Sequence, residues 1–415
     1  MAGPKLATIA WRNLWRQKRR TFLTLVSIAF GFFMAVLMMS MQDMTFSDFV
    51  DTAAQLGSGH VVVHHHEYLD TPSLGRTVHA TDELRGLAAD DVRVDRVVER
   101  IMGEAMVATA HDSFGAGFIA YDPAMETDDT LHFLEGLVEG EWYATADDKG
   151  IILGKVLAAN LGAELGDKVV YTLMDKDGEI VAGMGRLKGT IGTGSPQGDA
   201  SLFLLPLNKA RKVLGYEADE ATHLGVYLHD NRRSAAVAAD LDEKLGEGVE
   251  ASTWAEVAPD LNAFVAMKKG GGKFFLIIIG LLVAAGIFNT LFMSVMERVR
   301  EFGILVAIGY TPGQIFRMVM WESVFLAITG LIFGGLITAW PYKWLSDNGI
   351  DMTEMYAGND VSVGGVGFDM VMPCGLYPES FIFIVCCVIF ATLAAGLYPA
   401  WKAGRVEPVD SIKLV

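Results

Sequence analysis

Four runs along the chain are apolar for long enough to cross a bilayer as a helix, which takes roughly 20 residues. They are Thr21 to about Met41, Phe274–Met296 without a charge, Trp321–Trp340 beginning beside Glu322, and Phe381–Trp401. Helices buried in soluble cores seldom run so long uncharged, so spans are predicted at 21–42, 274–296, 319–341 and 380–401. The first run exceeds the roughly 7–15 residues of a signal-peptide core, and no clean small-x-small site follows it. A retained helix is therefore expected. The long segment 43–273 has a different pattern. Lys168–Met174 and Glu179–Ala182 flank the turn Asp175-Lys176-Asp177-Gly178, which reads as a hairpin. Arg186–Ile191, Ser201–Leu205 and Thr222–His229 read as further strands, with helical patterns at Val156–Leu165, Leu207–Leu214 and Ser234–Leu245. The fold class that results is an α-helical membrane protein with four transmembrane helices and a large α+β extracytoplasmic domain between the first two.

Composition sharpens this picture. Of 415 residues 52% are hydrophobic, yet the formal net charge is −17. A disordered acidic chain would carry far fewer large side chains, and 50 acids against 33 bases exclude a basic nucleic-acid binder. Three cysteines cannot staple a domain of this size: Cys374 lies in the second outer loop, and Cys386 and Cys387 lie in the fourth span.

The charges are unevenly placed. Residues 1–20, the loop 297–318 and the tail 402–415 hold 12 bases and 4 acids. The loop 342–379 and the segment 43–273 are acidic. The positive-inside rule puts both termini and 297–318 in the cytoplasm and the acidic domain outside. Before the first span, Ala7, Trp11, Leu14 and Trp15 form a stripe with Arg12, Arg16 and Arg19 elsewhere. An amphipathic helix in the headgroup region fits, with Trp11 and Trp15 at the interface and Arg12 and Arg16 reaching phosphates. A basic flank without a fixed helix is the alternative. Before the second span, Asp260–Lys269 reads as a helical stalk interrupted by Gly270, Gly271 and Gly272, each costing a helix about 1 kcal/mol relative to Ala. The glycines read either as a hinge or as a simple loop. In the third span Gly330, Gly334 and Gly335 have the spacing that lets helices approach closely, a spacing that also arises by chance. Glu322, beside Trp321 and near Arg317, reads as one half of an interfacial ion pair.

Catalytic chemistry is not legible. Gly150–Lys155 is one residue short of the phosphate-loop spacing and lacks the following Ser or Thr, and Gly270–Lys273 runs into Phe274. All nine histidines lie in the outer domain, but His64, His65 and His66 as neighbours on a strand point to alternate faces and do not converge on a metal. No cofactor, metal or catalytic residue is expected in this chain.

Three blocks carry a resemblance. Ala10–Gly31 (AWRNLWRQKRRTFLTLVSIAFG), Met293–Gly309 (MSVMERVREFGILVAIG) and Tyr398–Ile412 (YPAWKAGRVEPVDSI) resemble the transmembrane subunits of MacB-type ABC systems. These are macrolide exporters, lipoprotein-releasing permeases and FtsX-like division permeases of the bacterial inner membrane. Ala120-Tyr121-Asp122-Pro123 and Ile151–Val169 add weaker matches. The resemblance implies a mechanical permease: two such subunits, alike or paired with a relative, served by two separate ATPase subunits that hold ATP and magnesium. It also implies that Glu297, Arg298, Arg300, Glu301, Phe302 and Gly303 dock into an ATPase cleft; by its own apolarity the run Ile304–Ile308 can anchor the same segment to protein or membrane. Lipoprotein release is the reading it favours. Export of a small molecule or peptide from the periplasm, or force transmission to a cell-wall hydrolase, are the alternatives.

Overall fold

The computed structural model describes residues 3–351, 362–363, 366–367 and 371–405. The expected tail charges Glu407, Asp410 and Lys413, the loop acids Glu354, Asp360 and Asp369, and the resembling block beyond Arg405 lie outside the described residues. The chain divides into two units, one formed by 1–45, 267–351 and 371–415 and the other by 46–266 and 352–370.

The first unit is helical. A helix Gly3–Leu14 is followed after a turn by a long helix Lys18–Ala53, whose later part belongs to the other unit. The second long helix is Pro259–Glu297, the third Pro312–Asn348 and the fourth Pro378–Gly404, with a short helix Val299–Ala307 between the second and third. All four long helices have the length and apolarity of membrane spans. At 1.5 Å per residue the 39-residue second helix is about 58 Å long, nearly twice the hydrocarbon thickness.

Two expectations are corrected here. Gly270, Gly271 and Gly272 are helical and unbroken, so they are not a loop and do not interrupt the stalk. A helix gains one hydrogen bond for each residue added, and apolar residues 274–296 on one side and the helical pattern 260–269 on the other hold the glycines between them. The N-terminal helix turns a different face to the rest of the unit than the expected one. Leu6, Ala10 and Leu14 are buried, the first two against Ile315, Met318 and Val319 and the third beside Leu326, while Trp11 and Trp15 stay outward. The buried stripe is thus one residue away from the expected one.

The second unit is α+β. Its ten strands are β1 Val61–His65, β2 Val94–Ala108, β3 Ser113–Tyr121, β4 Leu137–Gly140, β5 Gly150–Gly154, β6 Lys168–Met174, β7 Ile180–Ile191, β8 Leu202–Pro206, β9 His223–Leu228 and β10 Val249–Thr253. Six of them close on themselves, since β2 pairs β3, β3 pairs β8, β8 pairs β5, β5 pairs β7, β7 pairs β6 and β6 returns to β2. Phe118, Ile151, Leu153, Tyr171 and Phe203 fill that ring. Beyond the first half of β2 the sheet continues through β9, β1 and β10, and the helices Thr81–Ala89 and Ser234–Asp242 cover it through Ala88, Val237 and Leu241.

The β6–β7 turn is built as its residues dictate. Asp175 Oδ1 accepts the amides of Asp177 and Glu179, both at 2.9 Å, and Gly178 takes φ +82°. β7 runs through Gly183 and Gly185 as one strand, where two were expected. A side chain at Gly183 would strike the Tyr171 ring, so the glycine is what lets the cross-strand pair close. The helix expected at 156–165 ends at Asn160, because Gly162 turns to positive φ. β2 escaped the pattern because it buries charge: Arg100 is fully buried and bonds Glu126 at 2.7 and 2.6 Å and the Tyr227 hydroxyl at 2.9 Å.

Candidate functional site

The chemistry in the helical unit concentrates where the second long helix ends. The turn after Leu14 is tied by the Thr21 hydroxyl donating to the Leu14 carbonyl at 2.5 Å. That elbow presents Asn13, Arg16, Gln17 and Arg20 to the end of the second helix. Arg20 makes two bonds to Glu297, at 2.7 and 2.8 Å, and Arg16 pairs with Glu301 at 2.8 Å. Arg298 falls at the break between the second helix and the short one, with φ −103° and ψ 11°. From there its guanidinium reaches Glu301 at 3.1 Å and Glu322 at 3.0 and 3.3 Å, and its Cζ lies 5.2 Å from the Phe302 ring centre. The Asn13 amide donates to Glu322 at 3.1 Å.

This arrangement corrects two expectations. The partner of Glu322 is Arg298, not Arg317, which is exposed. Arg317 is five residues before Glu322 on the same helix, an offset that places the two on different sides, whereas the helix break swings Arg298 across. Second, the charges of 297–303 are not all directed outward. Glu297, Arg298 and Glu301 are paired within the chain, and Phe302 and Gly303 are buried, Phe302 in the cluster formed by Leu6, Ala10, Val295 and Ala403. What the short helix leaves exposed is a stripe of Arg300, Ile304, Ala307 and Ile308, with Ile304 half-exposed and Ile308 68% exposed. Large aliphatic side chains one turn apart beside a cation form a compact exposed apolar patch.

A cavity of about 140 Å³ lies behind the ion pairs, lined by Thr21, Thr24, Thr290, Ser294, Glu322 and Arg298 among others. The Thr21 hydroxyl closes the elbow, and the ion pairs Arg16–Glu301 and Arg20–Glu297 hold it to the end of the second helix.

The small residues sort by neighbour. A Cβ at Gly330 would come within 2.7 Å of Ile28, and one at Gly334 within 3.1 Å of the Ala29 backbone, so both sit against the first long helix. Gly335 faces open space and takes no part in that contact. Two other glycines do similar work: Gly31 lies against Val283, and Gly396 against Ser323. Both have small residues four positions away, Ser27 and Ala35 for Gly31 and Thr392 and Ala400 for Gly396, a spacing the sequence reading did not single out. Of the expected interfacial residues, Trp11 stacks edge-on against Phe325 at 5.3 Å and against Trp15 at 5.8 Å. Arg16 is engaged by Glu301, and Arg12 is exposed. Asn13, Gln17 and Arg20 were not singled out in the sequence. Their only signal is that Arg20 follows two other bases at the head of an apolar run.

Comparison with known proteins matches two families along the chain. The family model of the MacB-like periplasmic core domain matches residues 21–244, and that of the FtsX-like permease C-terminal region matches 273–408. The lipoprotein-releasing system transmembrane protein LolC of Xylella fastidiosa is 24% identical, with all of both chains covered. A pyoverdine export ATP-binding/permease protein PvdT of Pseudomonas entomophila is 23% identical over 97% of this chain and 58% of its own length. Among solved structures, the periplasmic region of MacB from Actinobacillus actinomycetemcomitans covers 52% of the chain at 12% identity, with a TM-score of 0.36.

Proposed function

The chain belongs to the MacB-type ABC permease superfamily, and from that premise we propose that it is a mechanical permease subunit that releases lipoproteins at the outer face of the inner membrane. The observation that carries the substrate class is the LolC likeness, which extends over the whole of both chains. In this reading ATP is hydrolysed by a separate pair of ATPase subunits on the cytoplasmic side, where both termini lie. The permease works as two copies or with a second permease.

The exposed stripe Arg300, Ile304 and Ile308 docks into the ATPase, and the buried face of the same helix, through Phe302, hands the movement to the third helix and the N-terminal helix. The first and second long helices carry it outward. The ion pairs Arg20–Glu297 and Arg16–Glu301 support this, since they join the N-terminal elbow to the segment that would be pushed. The likeness to PvdT supports a second reading, in which the same movement exports a small molecule.

The test is reconstitution. The chain, its ATPase and any second permease encoded beside it are placed in proteoliposomes with a lipidated protein. ATP-dependent release of the lipidated protein, absent without the ATPase, is expected. Active ATP hydrolysis without release overturns the substrate reading.

A further inference from the structure

We propose that the groove between the head of the first long helix and the end of the second is a binding site for one anionic phospholipid. The groove is open, with a volume of about 540 Å³, and its walls carry Lys18, Arg19, Arg20, Glu297, Leu23 and Met293. Its charge is not balanced. Arg20 is held by both carboxylate oxygens of Glu297, which leaves Lys18 and Arg19 exposed with no acidic partner among the described residues. Two positive charges therefore stand at the mouth.

Below them the walls turn apolar, with Leu23 and Met293 about half exposed. A phosphate above two acyl chains has this distribution of charge and grease, and basic pockets between membrane helices on the cytoplasmic side take such headgroups.

Asn289 adds an independent observation. It also lines the groove, it is exposed, and its amide has no partner among the described residues. Eight residues before Glu297, it lies about 12 Å along the helix from the mouth, a hydrogen-bond donor set among apolar neighbours. The ester carbonyls of a phospholipid lie below its phosphate and can accept that amide. A second copy of the chain fits less well, because a two-fold contact through this groove would bring two sets of Lys18 and Arg19 together.

The proposal rests on the reading that this end of the helices faces the cytoplasmic leaflet. It is tested on the full chain purified in neutral detergent without ATPase, using phosphatidylglycerol and phosphatidylcholine probes that carry a photoactivatable diazirine near the glycerol. Phosphatidylglycerol is expected to label the peptides containing Leu23 and Met293 about tenfold more than phosphatidylcholine. K18Q/R19Q should reduce this to the phosphatidylcholine level, while R317Q keeps it.

Equal labelling by the two lipids, or undiminished labelling in K18Q/R19Q, overturns the proposal. So does efficient disulfide formation between two copies of L23C at the expense of labelling. Should K18Q/R19Q fail to fold, M293W narrows the groove without touching its charge, and unchanged labelling there overturns the site as well. ATPase capture is measured separately, so loss of that interaction with lipid labelling intact sinks only the function proposed above, and the reverse result sinks only the lipid site.

Discussion

Arg298 and Glu322, 24 residues apart in the chain, meet at 3.0 Å where the break after the second long helix faces the third. Both side chains are about nine-tenths buried, and the Asn13 amide completes the carboxylate's bonding. The pair locks three chain segments to one point.

Removing one partner strands the other charge. R298A should destabilise the chain by about 3–5 kcal/mol, and R298M/E322M should recover most of that. Thermal unfolding in detergent reads both. An R298A variant that melts with the parent would show that the pair holds nothing.

The short helix has two faces with opposite expectations. F302A should lose about 3–5 kcal/mol through the cavity it leaves in a fully buried cluster. I304E/I308E and R300E should leave the melting temperature within a degree or two but lower the yield of co-purified ATPase severalfold. Full ATPase recovery with I304E/I308E would remove the stripe from the docking surface.

Glycine spacing in the third helix separates a contact from a coincidence. G330L drives a side chain into Ile28 and should cost about 1–3 kcal/mol, whereas G335L enters open space and should be neutral. Equal melting temperatures for the two would contradict the packing.

The helical glycines of the second long helix invite the opposite change. A Cβ at Gly270 or Gly271 meets nothing, so G270A/G271A should stabilise the helix by about 1 kcal/mol per site. If bending there belongs to the working cycle, ATP-driven release falls as stability rises. Release equal to the parent's would dismiss the hinge.

Acid should weaken the outer domain through His223. Burial first, then His64 and Arg100, push its pKa down from 6.5 to about 3. The folded domain therefore refuses a proton that the unfolded chain accepts. Its contribution is fully present above about pH 6.5 and is lost as pH falls from there toward 3, at no more than about 1.4 kcal/mol per pH unit. Melting temperatures of the parent between pH 7 and 4.5 should fall more steeply than those of H223Q. Parallel curves would assign the acid sensitivity to other groups.

At β2 and at the candidate site, pattern and structure parted because of contact between distant residues. Strand β6 and its turn were legible because alternation and Asp175–Gly178 act within a few residues. β2 was not, because its buried Arg100 and Glu99 violate alternation, and each charge is answered by a residue elsewhere, Glu126 and Arg211. At the candidate site, the segment 297–303 was visible as a charged joint between apolar runs, but which of its charges turn inward was not.

The amino-acid order by itself determined the four spans, the acidic domain between the first two, and the basic segments at their other ends. Apolarity and charge act on the bilayer residue by residue and need no partner. Only the tertiary structure decided that Glu322 takes Arg298 and not Arg317, that Gly330 and not Gly335 meets the first helix, and that Ile304 and Ile308 are left uncovered. Those outcomes depend on the angle at which one helix breaks and on which faces of neighbouring helices then coincide.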